Sequence, residues 1–481
     1  MLLIQKCAFA DGELIWNYKH DNFIKEIISG KQSPEELKKQ SEFDSDLKKD
    51  LGIELVYTNL SECLQIAVDN NFNMKIKNSQ KREHYWNYQN AKAQFLPDVN
   101  YTLDMQHYNG TFVVGGIVPD SVDETAVISD FNFVWSTVKQ GKLFFLNAQR
   151  KHNYRAADSN YMYTKDEVIL NTTLAYYDLL KQKLKFEVLH ANIDDREQQL
   201  RLTKARYDVG LGDRFDVLRA EAQLAQAKQQ YIATFNRVRL AQAKLANIMG
   251  VDVIIPIFPS EHTVEIRNLI EEKYQINELY NMAVCSRDDI NATKQEIKAL
   301  QAERSSNYMD FVPKLDVYAS KGLQGTLRLG LYGNQTVGFE LTVPLGENLG
   351  VGTMTKVKAY NAKIEAKQYE LTNLTRRVKE SIIGSYYDSK TALERIESAK
   401  KEVLASDQSA HIAYVKMKVG NATFLDVLQA QTTKITSRES LIEAIIDYNK
   451  AQTQLLFDSG IISVSGVLKD YSQPIATTPQ P

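Results

Sequence analysis

Four stretches of the chain alternate apolar and polar residues with a period of two, the spacing a strand with one apolar face requires. In the first, Val99, Tyr101, Leu103 and Met105 alternate with Asn100, Thr102, Asp104 and Gln106; in the second, the apolar positions are Val127, Phe131, Phe133 and Trp135. Leu315, Val317 and Ala319 mark a third, and Val337, Phe339, Leu341, Val343 and Leu345 a fourth, with Gly330 to Gly333 near the intervening turn. The strands therefore come as two hairpins. Each hairpin follows a segment rich in Gln, Asn, Lys and Ala that reads as a helix, from about Leu60 to Phe95 before Pro97 and from Asn277 to Phe311 before Pro313. After each hairpin comes a run without helix breakers, Gly141 to Val209 and Gly352 to Val419, predicting a helix of roughly 100 Å at about 1.5 Å per residue. An ordinary globular helix is about a dozen residues long, so rods of this length predict coiled-coil packing across a wide aqueous space. A shorter return helix runs from Asp213 to Met249, with Ala220, Ala222, Ala225, Ala227, Ala241, Ala243 and Ala246 allowing close helix approach.

The order of patterns repeats because the sequence repeats. Val209-Gly210 recurs as Val419-Gly420 and Asp216-Val217-Leu218 as Asp426-Val427-Leu428. Ala220, Ile232, Ala241, Gln242, Leu245 and Gly250 recur as Ala430, Ile442, Ala451, Gln452, Leu455 and Gly460, and Tyr176-Tyr177-Asp178 as Tyr386-Tyr387-Asp388, all at an offset of 210. Phe95 and Pro97 recur as Phe311 and Pro313 at an offset of 216, so one half carries extra residues between its strands. A unit this long is a duplicated subdomain, not a solenoid repeat. The expected divisions are an N-terminal extension (1–57), a first repeat (58–250), a connecting segment (251–275), a second repeat (276–462) and a C-terminal tail (463–481).

Composition narrows the classes. The 481 residues carry a formal net charge of -2, with 43% hydrophobic and 25% charged residues, so the chain is a folded protein with no bias toward nucleic acid. Only 10 prolines and 22 glycines punctuate it. No window of about 18 uncharged apolar residues exists for a helix to cross a bilayer, but a transmembrane barrel built from alternating segments is compatible with the mean hydropathy of -0.36. Ala8-Phe9-Ala10 fits a signal-peptidase site, yet the apolar run before it is short and lacks a basic start, so the segment reads as a truncated signal peptide or as ordinary mature sequence. Residues 11–56 are charged and Lys-rich without a counterpart in the second copy, and the Ser, Thr, Pro and Gln of Ser472 to Pro481 predict disorder. Cys7, Cys63 and Cys285 have no Cys-x-x-Cys spacing; Cys63 and Cys285 read as isolated thiols, with pairing in an oxidising compartment the alternative.

Four strands cannot close a barrel with an interior and would leave open edges. Three copies supplying four strands each would close one with every backbone group paired. The other arrangement with the same alternation is a small sheet buried against the helices of one chain.

The duplicated helix-hairpin-helix order, the Val209-Gly210-Leu211-Gly212-Asp213 turn, the Asp216-Val217-Leu218 that follows it and the Pro97 and Pro313 entries to the strands resemble the TolC family of outer-membrane efflux channels, the outer membrane factors. The resemblance covers roughly residues 58–462. It implies a mostly α fold with a small β part: a duplicated long-helix coiled-coil tunnel in the periplasm, and four strands per chain in a shared twelve-stranded trimeric β-barrel in the outer membrane. It further implies a homotrimer in contact with outer-membrane lipid, giving passive exit when docked to a periplasmic adaptor (membrane fusion) protein and an inner-membrane pump of RND or ABC type, for efflux or type I secretion. The turns Val209, Gly210, Leu211, Gly212, Asp213 and Val419, Gly420, Asn421, Ala422, Thr423 would be the adaptor-docking tips. As residues alone, their glycines also suit a plain helix-helix turn. The family's acidic gate beyond the second tip maps onto Asp426, while its next acidic position is Gln429 here, leaving Asp216 to contribute. A carboxylate repeated threefold would attract cations and repel its copies; an Asp near a turn is equally a helix cap. The second tip departs from the first, with Asn421-Ala422-Thr423 where Leu211-Gly212-Asp213 stands.

No chemistry of another kind emerges. His20, His84, His107, His152, His190, His262 and His411 are scattered singly and read as exposed helix positions, without the spacing of a metal site. Gly346 to Gly352 lacks the Lys-Ser or Lys-Thr of a phosphate loop and reads as a strand-to-helix turn. Neither a cofactor nor an enzymatic activity is expected. The alternative function from a different class is a soluble periplasmic coiled-coil scaffold without a transmembrane barrel.

Overall fold

The computed structural model describes residues 56–469, apart from 115–117, 211, 272, 344–349 and 420. The N-terminal extension up to residue 55, the tail from residue 470, Leu345, and the tip residues Leu211 and Gly420 lie outside the described residues. The element order is β1 (Val56–Thr58), α1 (Leu60–Asn70), α2 (Phe72–Ala93), β2 (Asp98–Val114), β3 (Val118–Ser136), α3 (Thr137–Asp208), α4 (Arg214–Met249), β4 (Ile257–Pro259), α5 (Ile276–Ser286), α6 (Asp288–Tyr308), β5 (Lys314–Thr326), β6 (Gly330–Thr342), α7 (Val351–Lys418), α8 (Phe424–Asp458) and α9 (Val464–Val467). From α1 to α4 and from α5 to α8 the same sequence of elements is run twice. The chain divides into two compact units: residues 1–75, 163–287 and 376–481 in the first, and 76–162 and 288–375 in the second.

The second unit holds an antiparallel sheet in the order β2-β3-β5-β6. Its register puts Val99, Tyr101, Leu103 and Met105 opposite Phe133, Phe131, Ser129 and Val127, and continues through Val317, Ala319 and Leu323 of β5 to Leu331, Val337, Phe339 and Leu341 of β6. Residues paired across antiparallel strands share a face, so this face is apolar, and most of its large side chains are exposed. The opposite face carries Asn100, Thr102, Asp104, Asp130, Asn132, Asp316, Ser320, Asn334 and Glu340. Burial against the helices of the same chain is therefore not how the apolar face is satisfied: Val337 and Phe339 are 71% and 75% exposed. Gly338 leaves room for the Tyr318 ring across the β5–β6 pair: a Cβ there would sit 2.6 Å from the Tyr318 hydroxyl, and the ring would have to shift to admit it.

In the first unit the pre-hairpin helices are not continuous, contrary to the single rods expected over Leu60–Phe95 and Asn277–Phe311. Asn71 and Arg287 interrupt them in extended backbone, at ψ 130° and 125°. Asn71 stabilises its break from both sides: its amide donates to the Ile248 carbonyl at 2.7 Å, and its Oδ1 accepts from Asn73 N at 2.8 Å and Met74 N at 3.2 Å, capping α2. Arg287 does the equivalent in the second copy, donating to the Asp458 carbonyl at 3.1 Å and lying over the rings of Tyr163 and Phe457. The breaks seat α1 and α5 against the ends of the return helices.

Those return helices end on Gly250 and Gly460, with φ of 69° and 68°. A Cβ on Gly250 would meet the Asn70 backbone carbonyl at 2.5 Å, whereas on Gly460 it would meet the Arg287 side chain at 2.7 Å. Gly250→Ala is accordingly expected to lower stability by more than about 1 kcal/mol, and by more than Gly460→Ala, in denaturant unfolding of the detergent-extracted protein.

The connecting segment is held by a short parallel pairing that the sequence pattern did not reveal, β1 with β4, Val56 opposite Ile257. Beside it the buried Lys183 ammonium donates to the carbonyls of Pro259 at 2.9 Å and Glu261 at 3.0 Å, and lies 3.1 Å from His262 Nδ1. The Tyr176 hydroxyl donates to the Glu261 carboxylate. His262 is thus a buried residue in the connecting segment, not the exposed helix position expected of it. Cys63 is buried and hydrogen-bonded to Thr58 at 3.2 Å, with burial pushing its thiol up to about 11; Cys285 is exposed, and both are free.

Candidate functional site: the hairpin tips

Two helix turns close the hairpins of the first unit. At the first, α3 ends at Asp208, Gly210 adopts φ 75° and its N–H returns to the Tyr207 carbonyl at 2.9 Å. Gly212 lies so close under the last turn of α3 that a Cβ would come 3.1 Å from Tyr207 N. Asp213 then caps α4, accepting from Phe215 N at 3.1 Å. At the second, Asn421 N returns to the Lys416 carbonyl at 2.8 Å and Thr423 caps α8. The plain-turn reading of these residues is correct as far as it goes. In addition, both turns leave apolar side chains in water: Val209 is 69% exposed and Val419 68%, joined by Phe215, Leu218 and Leu425.

Asp426 sits in the first turn of α8, where the positive end of the helix dipole favours a carboxylate. Its Oδ2 accepts from Thr423 Oγ1 at 2.6 Å and Thr423 N at 2.8 Å, while Asp426 N donates back to Thr423 Oγ1 at 3.2 Å. This is a complete capping box. The hydrogen bonds from the Thr423 hydroxyl and amide hold the carboxyl below its ordinary value. Asp216 occupies the corresponding place in α4, half-buried. Gln429 is exposed one turn beyond Asp426 and lines a groove of about 550 Å³ with Gln226, Gln230, Arg196, Arg237 and Glu439. The structure does not bring Asp216, Asp426 and Gln429 together into one cluster of hydrogen-bonded groups within a chain.

Sequence reasoning missed what joins the two hairpins. Ala220 of α4, Met417 of α7 and Phe424 and Val427 of α8 form one buried cluster, with Leu200, Ala413, Tyr414 and Ala422 packed against it. A little further along, the Arg196 guanidinium reaches from α3 to Gln431 and Thr432 of α8 at 3.3 and 3.4 Å. Within the second hairpin, Arg438 is 2% exposed and makes a two-pronged pair with Asp407, Nε to Oδ1 at 3.2 Å and Nη2 to Oδ2 at 2.9 Å. Burial lowers the Arg438 guanidinium to about 10, leaving it charged at neutral pH. An arginine and an aspartate 31 positions apart on either side of a turn was the available signal, but nothing in one sequence distinguishes it from surface charge.

Among the described residues no group of three or more His, Cys, Asp or Glu is placed to hold a metal ion, and no helix is long and apolar enough to cross a membrane. The comparison with known families is decisive about what remains. The model of the outer membrane efflux protein family matches residues 63–251 and 279–460, once for each copy of the repeat. The chain belongs to that family. Among curated relatives it is similar to outer membrane protein TolC of Escherichia coli, 23% identical over 81% of this chain and 80% of that one. It is also 22% identical to the alkaline protease secretion protein AprF of Pseudomonas aeruginosa, over 64% of each chain. The fold is that of the outer membrane protein VceC of Vibrio cholerae, with a TM-score of 0.73 at 17% identity, covering 83% of this chain and 96% of VceC. This member of the efflux family is an outer-membrane channel protein: the strands form its membrane part and the helices its periplasmic part. The scaffold alternative is not favoured.

Proposed function

We propose that three copies close their sheets into one twelve-stranded barrel and that the duct so formed exports cargo passively while its hairpin tips engage a periplasmic adaptor, itself coupled to an inner-membrane pump. The observation that carries this reading is the open sheet with two free edges, β2 and β6. With four antiparallel strands, β6 of one copy runs antiparallel to β2 of the next, so the alternation continues unbroken around a ring of three. From Leu341 to Leu331 the apolar face spans ten residue-to-residue steps of β6, about 25 Å after an allowance of about 40° for strand tilt, the height of the lipid-facing band of an outer-membrane barrel. The two repeats, 58–250 and 276–462, would each give one hairpin to the barrel and one helical pair to the tunnel, joined through 251–275. The duct needs no reaction of its own; the pump supplies the work.

Two features qualify this duct. The polar face carries Asp104, Asp130, Asp316 and Glu340, with Lys314 the basic residue at its inner end, so the barrel should pass cations in preference to anions. Lys321 instead lies on the apolar face, in a row with Phe131 and Gln335 near the middle of the band. Lys321→Leu is expected to stabilise the assembled protein by about 2 kcal/mol per copy, read as a higher temperature for trimer dissociation in detergent.

The tips are tested by charge. Val209→Asp with Val419→Asp removes two exposed apolar contacts of about 1–2 kcal/mol each from the adaptor interface. Crosslinking to the adaptor and resistance conferred on an efflux-deficient strain should both fall, with trimer and membrane location unchanged. Undiminished crosslinking and resistance would exclude the tips as the docking surface.

A further inference from the structure

We propose that a small primary ammonium binds in a cavity of about 90 Å³ between α3, α8 and the connecting segment, held by the Glu261 carboxylate and the Tyr177 hydroxyl. Tyr176 and Tyr177 of α3, Asn449 of α8, and Glu261, Glu265 and Arg267 of the segment line it, all within the first unit. A single water needs about 10–15 Å³ of such space, so the cavity admits a ligand of a few heavy atoms. Its unmet group is the Tyr177 hydroxyl. Tyr177 is 4% exposed and its hydroxyl has no hydrogen-bond partner, although it feels the charges of Arg267 and Glu265, which line the same cavity. Burial pushes its pKa up, so the hydroxyl stays protonated and can both donate and accept. An unpaired buried hydroxyl is costly, and a ligand that meets it removes the cost. Tyr387, the counterpart in the second copy of the repeat, is 55% exposed and has water for a partner.

The lining selects the charge of the ligand. Burial raises the Glu261 carboxyl above its ordinary value, outweighing its own backbone amide, the charge of Arg267 and the Leu60 amide, which lower it; Glu265 adds to the rise. A cation beside Glu261 restores the charged form. The Tyr176 hydroxyl already donates to this carboxylate, so an ammonium would give one N–H to Glu261 and another to the Tyr177 oxygen. Neighbouring cations are engaged elsewhere: the Arg267 guanidinium pairs with Glu265 at 3.7 Å, and the Lys183 ammonium takes the carbonyls of Pro259 and Glu261 at 2.9 and 3.0 Å. Asn449 fixes the segment in place, its Oδ1 accepting from Arg267 N at 3.1 Å and its amide donating to the Glu265 carbonyl at 2.8 Å. The cavity is thus shaped before a ligand arrives. A divalent ion is the poorer fit, because its repulsion from the Arg267 guanidinium would be doubled.

The experiment is saturation-transfer NMR of methylammonium on the full-length protein in detergent, with the ionic strength set by tetramethylammonium chloride, a cation that has no N–H to donate. Wild type should give a saturable signal on the methyl protons. Tyr177→Phe should weaken binding at least about tenfold, yet unfold without ligand at the wild-type temperature or above it, because the lost hydroxyl had no partner. Tyr387→Phe should bind as wild type does. Affinity in wild type should fall as the pH is lowered and Glu261 takes up a proton, since the ammonium pairs with the carboxylate; the groups around Glu261 are Tyr176, Tyr177 and Lys183 of α3, Cys63 of α1, and Glu265 and Arg267 of its own segment. Should Tyr177→Phe fail to fold, this pH profile decides the matter. The absence of a saturable signal, equal affinity in Tyr177→Phe, a flat pH profile, or displacement by an equal concentration of sodium would overturn the proposal. Destabilisation of Tyr177→Phe without ligand would overturn it too, by showing that water already satisfies the hydroxyl.

Discussion

Arginine in place of Leu103 is expected to remove the protein from the outer membrane, while arginine in place of the adjacent Thr102 leaves it there. The two residues are neighbours on β2 with side chains on opposite faces. Leu103 is 57% exposed on the apolar face, one row from the middle of the band, where a lipid-facing arginine costs about 2–4 kcal/mol. In the proposed barrel three copies would triple that cost, to about 6–12 kcal/mol, comparable with the whole stability of a domain. Thr102, opposite Asp130, faces the polar side, where an arginine finds water and a carboxylate. Membrane fractionation and native gels of the two variants check this. Equal loss of both would mean that the sheet is sensitive to bulk on either side and that the apolar face has no special environment.

A loss almost as large is expected for Asp407→Ala, through a different mechanism. Arg438 is almost wholly buried, and Asp407 supplies both acceptors of its two-pronged pair. Removing one partner of a buried pair leaves a desolvated charge behind and typically costs about 3–5 kcal/mol. Replacing both partners by apolar residues, Asp407→Leu with Arg438→Met, should recover most of that loss, because neither desolvated charge then remains. The readouts are the unfolding midpoint and hydrogen exchange along α7 and α8, with the single variant exchanging fast near the second tip. If Asp407→Ala costs under about 1 kcal/mol, water reaches Arg438 and the pair is an ordinary surface bridge.

The strands were legible because their environment is the simplest in the molecule. Two different solvents on two faces impose a strict alternation, and Val99 to Met105 and Val337 to Leu341 obey it. The long helices were legible because nothing interrupts them, and the tips because the duplication repeats Val-Gly at a fixed offset. The breaks at Asn71 and Arg287 were not. Both depend on partners far along the chain, the Ile248 and Asp458 carbonyls, and no local propensity marks them. Within the candidate gate, Asp426 could be placed from the sequence but not its allegiance: Thr423, three residues before, is the capping-box signature, and the structure shows the box made. Val427 and Phe424 looked like any apolar helix positions, since burial between hairpins and burial within one leave the same mark on a sequence. His262 reads as exposed until the Lys183 ammonium is seen beside it, in a segment with no periodicity to interpret.

The most direct test of the account is the mass of the protein after detergent extraction of the membrane fraction, measured by size-exclusion chromatography with light scattering on the full-length gene product. The account predicts a membrane-bound species of three chains, resistant to dissociation because every strand edge is paired. A monomer recovered without detergent would contradict it, since one chain alone leaves β2 and β6 open and the apolar face of the sheet in water.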